Sequence, residues 1–179
     1  MDPTKPSISQ RRSASNNLNK TITLAEVSGL SIYADTGQGG AVRQTVLNFD
    51  DVVLSITDDG SSGHVAQKLF DFPAGAIVNL GSCIDLTLTA TAGGNSQISL
   101  GTTATADATL SSTDVDLCPA STASSTVAEA VKTAASYHDG TGTKKSCYMN
   151  INTASDPSSG ATITLNGRVI VTWMNQGDY

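Results

Sequence analysis

From residue 161 onward the sequence reads ATITLNGRVIVTWMN, and its apolar residues fall on every second position. Ile163, Leu165, Val169, Val171 and Trp173 take the odd positions; Thr162, Thr164, Asn166, Arg168 and Thr172 take the even ones. A period of two is that of a strand with one buried face. Gly167 interrupts the apolar set and predicts a bulge or a close backbone approach. Ile170 and Met174 break the polar set, so the far end of this strand is expected to be covered on both faces. They are the candidate subunit-interface residues, and Trp173 is the candidate core anchor.

Similar patterning recurs upstream. In CIDLTLTA, Ile84, Leu86 and Leu88 oppose Asp85, Thr87 and Thr89. SCYMNINT places Cys147, Met149 and Ile151 on one side, and SQISLG contributes Ile98 and Leu100. AVRQTVLNFDDVVLSIT predicts one or two strands, with Val42, Val46, Phe49, Val53 and Ile56 as burial candidates. Leu69, Phe70 and Phe72 precede a Pro73–Gly75 bend. One segment suggests a helix: SSTVAEAVKTAASY, where Thr126 and Glu129 have capping-box spacing and Val127 and Val131 lie four apart. Turn-rich stretches such as DDGSSG, HDGTGTKK and ASDPSSG separate these elements. Short strands between Gly/Ser/Asp turns predict an all-β fold, an antiparallel β-sandwich or jelly roll with at most one short helix.

Residues 1–20 lack this pattern. They contain two prolines, many Ser and Asn, and only Ile8 and Leu18 as large apolar residues. The expectation is an extended N-terminal arm over 1–20 and a single domain over 21–179. Charge divides the same way: the arm has four basic residues and one acid (+3), the remainder six basic and fifteen acidic (−9), and the chain is −6. So acidic a body offers no phosphate footprint and excludes nucleic acid as a partner. The arm suits an acidic protein surface, with Ile8, Arg11, Arg12 and Leu18 as its candidate contacts. The arginines stand out because a guanidinium fork pairs with carboxylates bidentately.

Charged residues make up 15 % of the chain, against 22 Ser and 23 Thr. A polar, weakly charged surface of this kind packs against other proteins with few charges to desolvate. No apolar run approaches the ~18 residues of a membrane span, so no membrane association is expected. No signal-peptide pattern opens the chain, which predicts either residence in the cytoplasm where it is made or removal of a leader before Met1, and the start at Met1 favours the first. Cys83, Cys118 and Cys147 are odd in number and scattered, which predicts neither a disulfide framework nor a zinc site.

Catalytic chemistry is not expected. There is no GxSxG, HExxH or P-loop pattern. Ser, His and Asp are present, but a chain this rich in serine contains such sets by composition alone. Both histidines, His64 and His138, are expected in Gly-rich turns. The paired acids Asp50/Asp51, Asp58/Asp59 and Asp114/Asp116 read as turn formers. The expected catalytic, metal and cofactor sets are all empty. With one Trp on the apolar side of its strand, a carbohydrate-binding module has little support.

Three phrases carry a resemblance: an F-x-F-P-x-G turn (Phe70, Phe72, Pro73, Gly75), an L-G-T segment (Leu100, Gly101, Thr102), and a closing T-W-x-N-x-G-D (Thr172, Trp173, Asn175, Gly177, Asp178). Over about residues 65–122 and 160–179 the chain resembles capsid cement or decoration proteins, the auxiliary head proteins of tailed bacteriophages. The resemblance implies a small β-rich homotrimer that binds the major capsid protein on the outer capsid surface and stabilises the shell, with no catalytic residues. The alternatives are a tail or fibre component and a carbohydrate-binding β-module.

Overall fold

In the computed structural model the described residues are 23–36, 42–90, 96–123, 127–132, 134–153 and 160–177. The arm, with Ile8, Arg11, Arg12 and Leu18, lies outside them.

Among the described residues, twelve strands form two six-stranded antiparallel sheets. They are β1 (Thr23–Leu24), β2 (Leu30–Thr36), β3 (Val42–Ser55), β4 (Thr57–Asp58), β5 (Gly63–Asp71), β6 (Gly75–Ala90), β7 (Ser96–Gly101), β8 (Cys118–Ala123), β9 (Val127–Lys132), β10 (Ser136–Gly140), β11 (Ser146–Thr153) and β12 (Thr162–Asn175). Sheet A has the order β1-β5-β11-β7-β8, with β4 also on β5. Sheet B has the order β10-β6-β12-β3-β2, with β9 also on β6. β9 and β10 follow one another along a single edge of β6, so they act as one interrupted strand.

Counting from β3, leaving out the two-residue β4 and taking β9 and β10 as one, eight strands run in sequence, β3 first and β12 last. Sheet B then reads sixth–third–eighth–first and sheet A second–seventh–fourth–fifth. Apart from the β7–β8 pair within sheet A, successive strands thus alternate between sheets in the manner of a jelly roll. The all-β sandwich expected from the alternation is what the chain forms.

The core lies between the sheets. β12 contributes Ile163, Leu165, Val169, Val171 and Trp173, each fully buried. Ile84, Leu86 and Leu88 of β6, Ile98 and Leu100 of β7, and Cys147, Met149 and Ile151 of β11 complete it as the alternation predicts.

Three expectations need correction. The predicted helix is strand: Val127–Lys132 is β9, in register with β6 from Val127↔Thr87 to Lys132↔Ser82. An unpaired edge of β6 offers a full ladder of backbone partners, and this outweighs a weak local preference for helix. The only helical turn among the described residues is a 3-10 turn, Ser112–Asp114. Second, Val42 and Val53 are exposed rather than buried. The inward residues of β3 are Thr45, Leu47 and Phe49, then Val52 and Leu54. Parity reverses at a bulge where Asp51 adopts φ +52° and Asn166 exchanges two hydrogen bonds with it. Opposite, the register of β12 skips between Leu165 and Gly167. Gly167 has φ +126°, and a Cβ there would sit 2.4 Å from the Asp85 carbonyl oxygen, so the anticipated bulge and close approach are both present. Third, the histidines lie in strands, His64 in β5 and His138 in β10.

Candidate functional site

The F-x-F-P-x-G and T-W-x-N-x-G phrases, about 100 residues apart, meet in space. Phe70 lies next to the end of β5 in sheet A, and Phe72 and Pro73 carry the chain across to Gly75, the start of β6 in sheet B. Phe72 packs edge-on against both Phe70 (4.9 Å between centroids) and Trp173 (5.3 Å), so three aromatic rings tie the sheets together. Trp173 Nε1 donates to Thr45 Oγ1 at 3.0 Å, and the Arg43 guanidinium lies 5.6 Å from the indole ring centre. Asn175 Nδ2 donates to the Ala74 carbonyl, and the Asn175 side chain occupies the space a Cβ at Gly75 (φ +130°) would need. Ala76 N–H donates to the Gly177 carbonyl and Gln176 N–H to that of Ala76. Both phrases therefore form one crossover joint.

Beside that joint, Asp71 accepts from Lys68 Nζ and Ser146 Oγ, linking β5 to the first residue of β11. Burial works to raise its pKa, but the hydrogen bonds from Lys68 and Ser146 and the lysine charges prevail and hold it below the usual value. A depressed carboxylate contributes stability that is present above its unfolded pKa and is lost as pH falls through its folded one. Melting temperature is therefore expected to fall less steeply below about pH 4 in Asp71→Asn than in the parent, as read by thermal denaturation between pH 6 and pH 2.5.

The L-G-T phrase anchors a second unit. Residues 102–117 fold over the outer face of sheet A. Thr102 N–H and Oγ1 both donate to the Asp116 carboxylate (2.8 and 2.6 Å), and Thr102 N–H also reaches the Thr113 carbonyl. A Cβ at Gly101 would stand 2.2 Å from that carbonyl oxygen, so only glycine lets the loop lie down. Below it, fully buried Asn150 accepts from Thr105 N–H and donates to the carbonyls of Thr103 and Asp114. Further along, a shallow groove is lined by Gln97, Ala108, Thr109, Thr122 and Asn152. Its two amides bond each other, and Asn152 also donates to the Ala108 carbonyl, so they are committed within the chain.

The fold does assemble one Ser/His/Asp set. His138 Nε2 lies 2.9 Å from Ser136 Oγ, and Nδ1 lies 3.5 Å from Asp116 Oδ2. Sequence reasoning set such combinations aside as compositional; the one signal was Ser136 and His138 two apart, on one face of a strand. A serine nucleophile needs its hydroxyl proton aimed at the imidazole. Here Ser136 Oγ donates to the Asp116 carbonyl at 3.2 Å, and both Asp116 carboxylate oxygens accept from Thr102. The adjacent Asn79 Nδ2 donates to the Leu117 carbonyl. The cluster fastens β10 and β6 of sheet B to the segment that enters β8 of sheet A. Among the described residues no group of three or more His, Cys, Asp or Glu side chains is placed to hold a metal ion.

The outer face of sheet B is different in kind. In register across it run Val42 of β3, Met174 of β12, Val78 of β6 and Tyr137 of β10. A parallel row holds Val46, Ile170 and Cys83. Gln44, Thr172 and Gly81 lie between the rows. Tyr137 is 62 % exposed and Val42 47 %, whereas Ile170 and Met174 at the centre are half-buried by their neighbours. The two interface candidates thus lie at the middle of an apolar surface wider than their own strand. Val53, also exposed, lies further along the same face.

Cys83 belongs to this face, and Cys118 and Cys147 to the core. Burial pushes the Cys147 thiol far up, with the nearby Asp116 and Cys118 adding to the shift. A thiol reagent acts on the thiolate. Native protein is therefore expected to label at Cys83 alone, and all three cysteines after denaturation, by mass spectrometry of maleimide adducts.

No family model and no curated protein matches the chain. Among solved structures it is similar to the enzymatically active domain of tailspike protein 4 of bacteriophage CBA120, at 15 % identity and a TM-score of 0.31. That match covers 83 % of this chain and 19 % of the other.

Proposed function

We propose that this chain is a structural virion protein, a capsid cement or decoration protein that binds the major capsid protein on the outer surface of a tailed-phage head as a homotrimer and stabilises the shell. The observation that carries the reading is on the outer face of sheet B, where two partly exposed apolar rows border the uncharged Gln44–Thr172–Gly81 row on a body that is otherwise polar and acidic. An apolar patch of this sort, rimmed by polar residues, marks a protein contact. The three phrases behind the resemblance support it, because each works as a structural joint: the aromatic crossover, the loop anchor and the C-terminal closure. The reading assigns the chain no catalytic residue and no cofactor. Residues 1–20 supply a basic arm whose Arg11 and Arg12 pair with carboxylates of a neighbouring subunit, while Ile8 and Leu18 add apolar contacts. The protein is made in the host cytoplasm and resides on the virion.

The test is add-back. Heads assembled without the chain are heated with and without purified protein, and DNA release is followed by dye fluorescence. Release at a higher temperature in the presence of the chain is expected; an unchanged release temperature overturns the reading. Immunogold labelling of virions separates the head from the tail, and label confined to the tail would make the chain a tail or fibre component.

A further inference from the structure

We infer that the groove on the outer face of sheet A, beside the 102–117 loop, is a binding site for a neutral saccharide. The inference stands apart from the cement reading, because it uses the opposite sheet from the apolar rows of sheet B.

Register builds the floor of this groove. Across sheet A it sets Thr57, His64, Asn152, Gln97 and Thr122 in one row over five strands. Ala108 and Thr109 of the loop and Ser62 of the β4–β5 turn also line the space, which is about 470 Å³. Small-molecule sites run from roughly 300 to 1,000 Å³. Asn152 Oδ1 accepts from Gln97 N–H at 3.0 Å, and Asn152 Nδ2 donates to Gln97 Oε1 at 3.0 Å and to the Ala108 carbonyl at 2.6 Å. These bonds fix the Gln97 amide in one orientation before a ligand arrives, so less order has to be imposed on binding. They leave over the Gln97 Nε2 group, with two N–H donors. The hydroxyls of Ser62, Thr109 and Thr122 are likewise without a hydrogen-bond partner among the described residues.

The chemistry of the lining selects the ligand. None of the lining side chains is ionisable. Each hydroxyl both donates and accepts, and the amide nitrogen donates. Sugar hydroxyls are donors and acceptors at once and match such a set. The methyl groups of Ala108, Thr109 and Thr122 give apolar surface for the C–H faces of a sugar ring. The acids close by are Asp59, 2.7 Å from His64 Nδ1, and Asp107, whose carboxylate takes Thr109 N–H at 2.6 Å. With the −9 of residues 21–179, they turn away an anionic sugar or a phosphate. A peptide added as a strand needs a free sheet edge. The floor of the groove lies on β7 and β11, each flanked by a strand on both sides. No aromatic ring lines the groove, so the sugar is held by its hydroxyls rather than stacked. A handful of such hydrogen bonds gives a dissociation constant on the order of 1 mM.

The test is a titration of isotope-labelled full-length chain followed by amide NMR, which sees the side-chain NH₂ of Gln97 directly. Gln97→Glu identifies that signal; it removes the donors and keeps an oxygen to accept from Asn152. The probes are maltose, cellobiose, lactose and diacetylchitobiose, with digalacturonic acid as the anionic comparison. At least one neutral disaccharide is expected to shift the Gln97 NH₂ and the backbone amides of Ala108, Thr109 and Thr122 in a saturable way, and digalacturonic acid is not. Thr122→Val, on an edge strand and exposed, should keep the parent circular dichroism and weaken that sugar roughly two- to tenfold. Gln97→Glu should weaken it at least as much. The inference is overturned if none of the four neutral sugars moves those signals, if digalacturonic acid moves them as strongly, or if both variants bind as the parent does. A chain that binds the sugar without raising the DNA-release temperature refutes only the cement role, and one that raises it without binding any of the four refutes only the saccharide site.

Discussion

Trp173→Ala is expected to lower the melting temperature by roughly 8–16 °C, from a loss of about 4 kcal/mol at 2–4 °C per kcal/mol for a domain of this size. Three losses combine. The indole is fully buried, so truncation leaves a large cavity between the sheets. Phe72 loses the ring that carries its contact from sheet A into sheet B. Thr45, itself fully buried, loses the donor to its hydroxyl oxygen. Trp173→Phe separates these terms, because it keeps a ring against Phe72 and removes the N–H. It should fall between parent and alanine variant. Calorimetry of all three proteins is the measurement, and a change of under about 3 °C in Trp173→Ala would show that the aromatic bridge does not hold the sheets together.

The strongly periodic segments carry most of the fold in their own alternation. In β12, a ladder on both sides and a core on one face left the period of two nearly intact, and every inward residue could be named. β3 was misread for a local reason. Two adjacent acids, Asp50 and Asp51, look like a turn, but they form a bulge inside one continuous strand and reverse its parity, which turned Val53 outward. β9 was misread because spacing within a segment does not reveal that β6 has an unpaired edge waiting for it. Ile170 and Met174 were legible as breaks in a polar face. The surface they belong to was not, since Val42, Val78 and Tyr137 come from three other strands and meet only through register. The loop over sheet A was equally hidden: Asn150 reads as a solvent-facing position between Met149 and Ile151. It is buried because residues 102–117 return to cover it.

That covered asparagine is the second site of large effect. Asn150 is fully buried, and its amide makes three hydrogen bonds, all to backbone groups of the loop. Asn150→Ala strands the Thr105 N–H and removes a donor from the carbonyls of Thr103 and Asp114. Leaving a buried backbone donor unsatisfied costs about 1–3 kcal/mol, and the lost carbonyl contacts bring the expected total to roughly 2–4 kcal/mol. Asn150→Asp is the sharper variant, because a carboxylate keeps the acceptor for Thr105 but turns two carbonyl contacts repulsive. It should be destabilised at least as much as alanine at pH 7, and should recover part of that loss as the carboxyl protonates at low pH. The effect should also be local in origin. The loop is held to sheet A mainly by Asn150, Asn152, Ser99 and the Thr102–Asp116 pair, so hydrogen exchange should speed up first across residues 102–117 while the β12 ladder stays protected. If both regions instead lose protection together, the loop is part of the same cooperative unit as the core. If neither changes, the amide is not what holds the loop down.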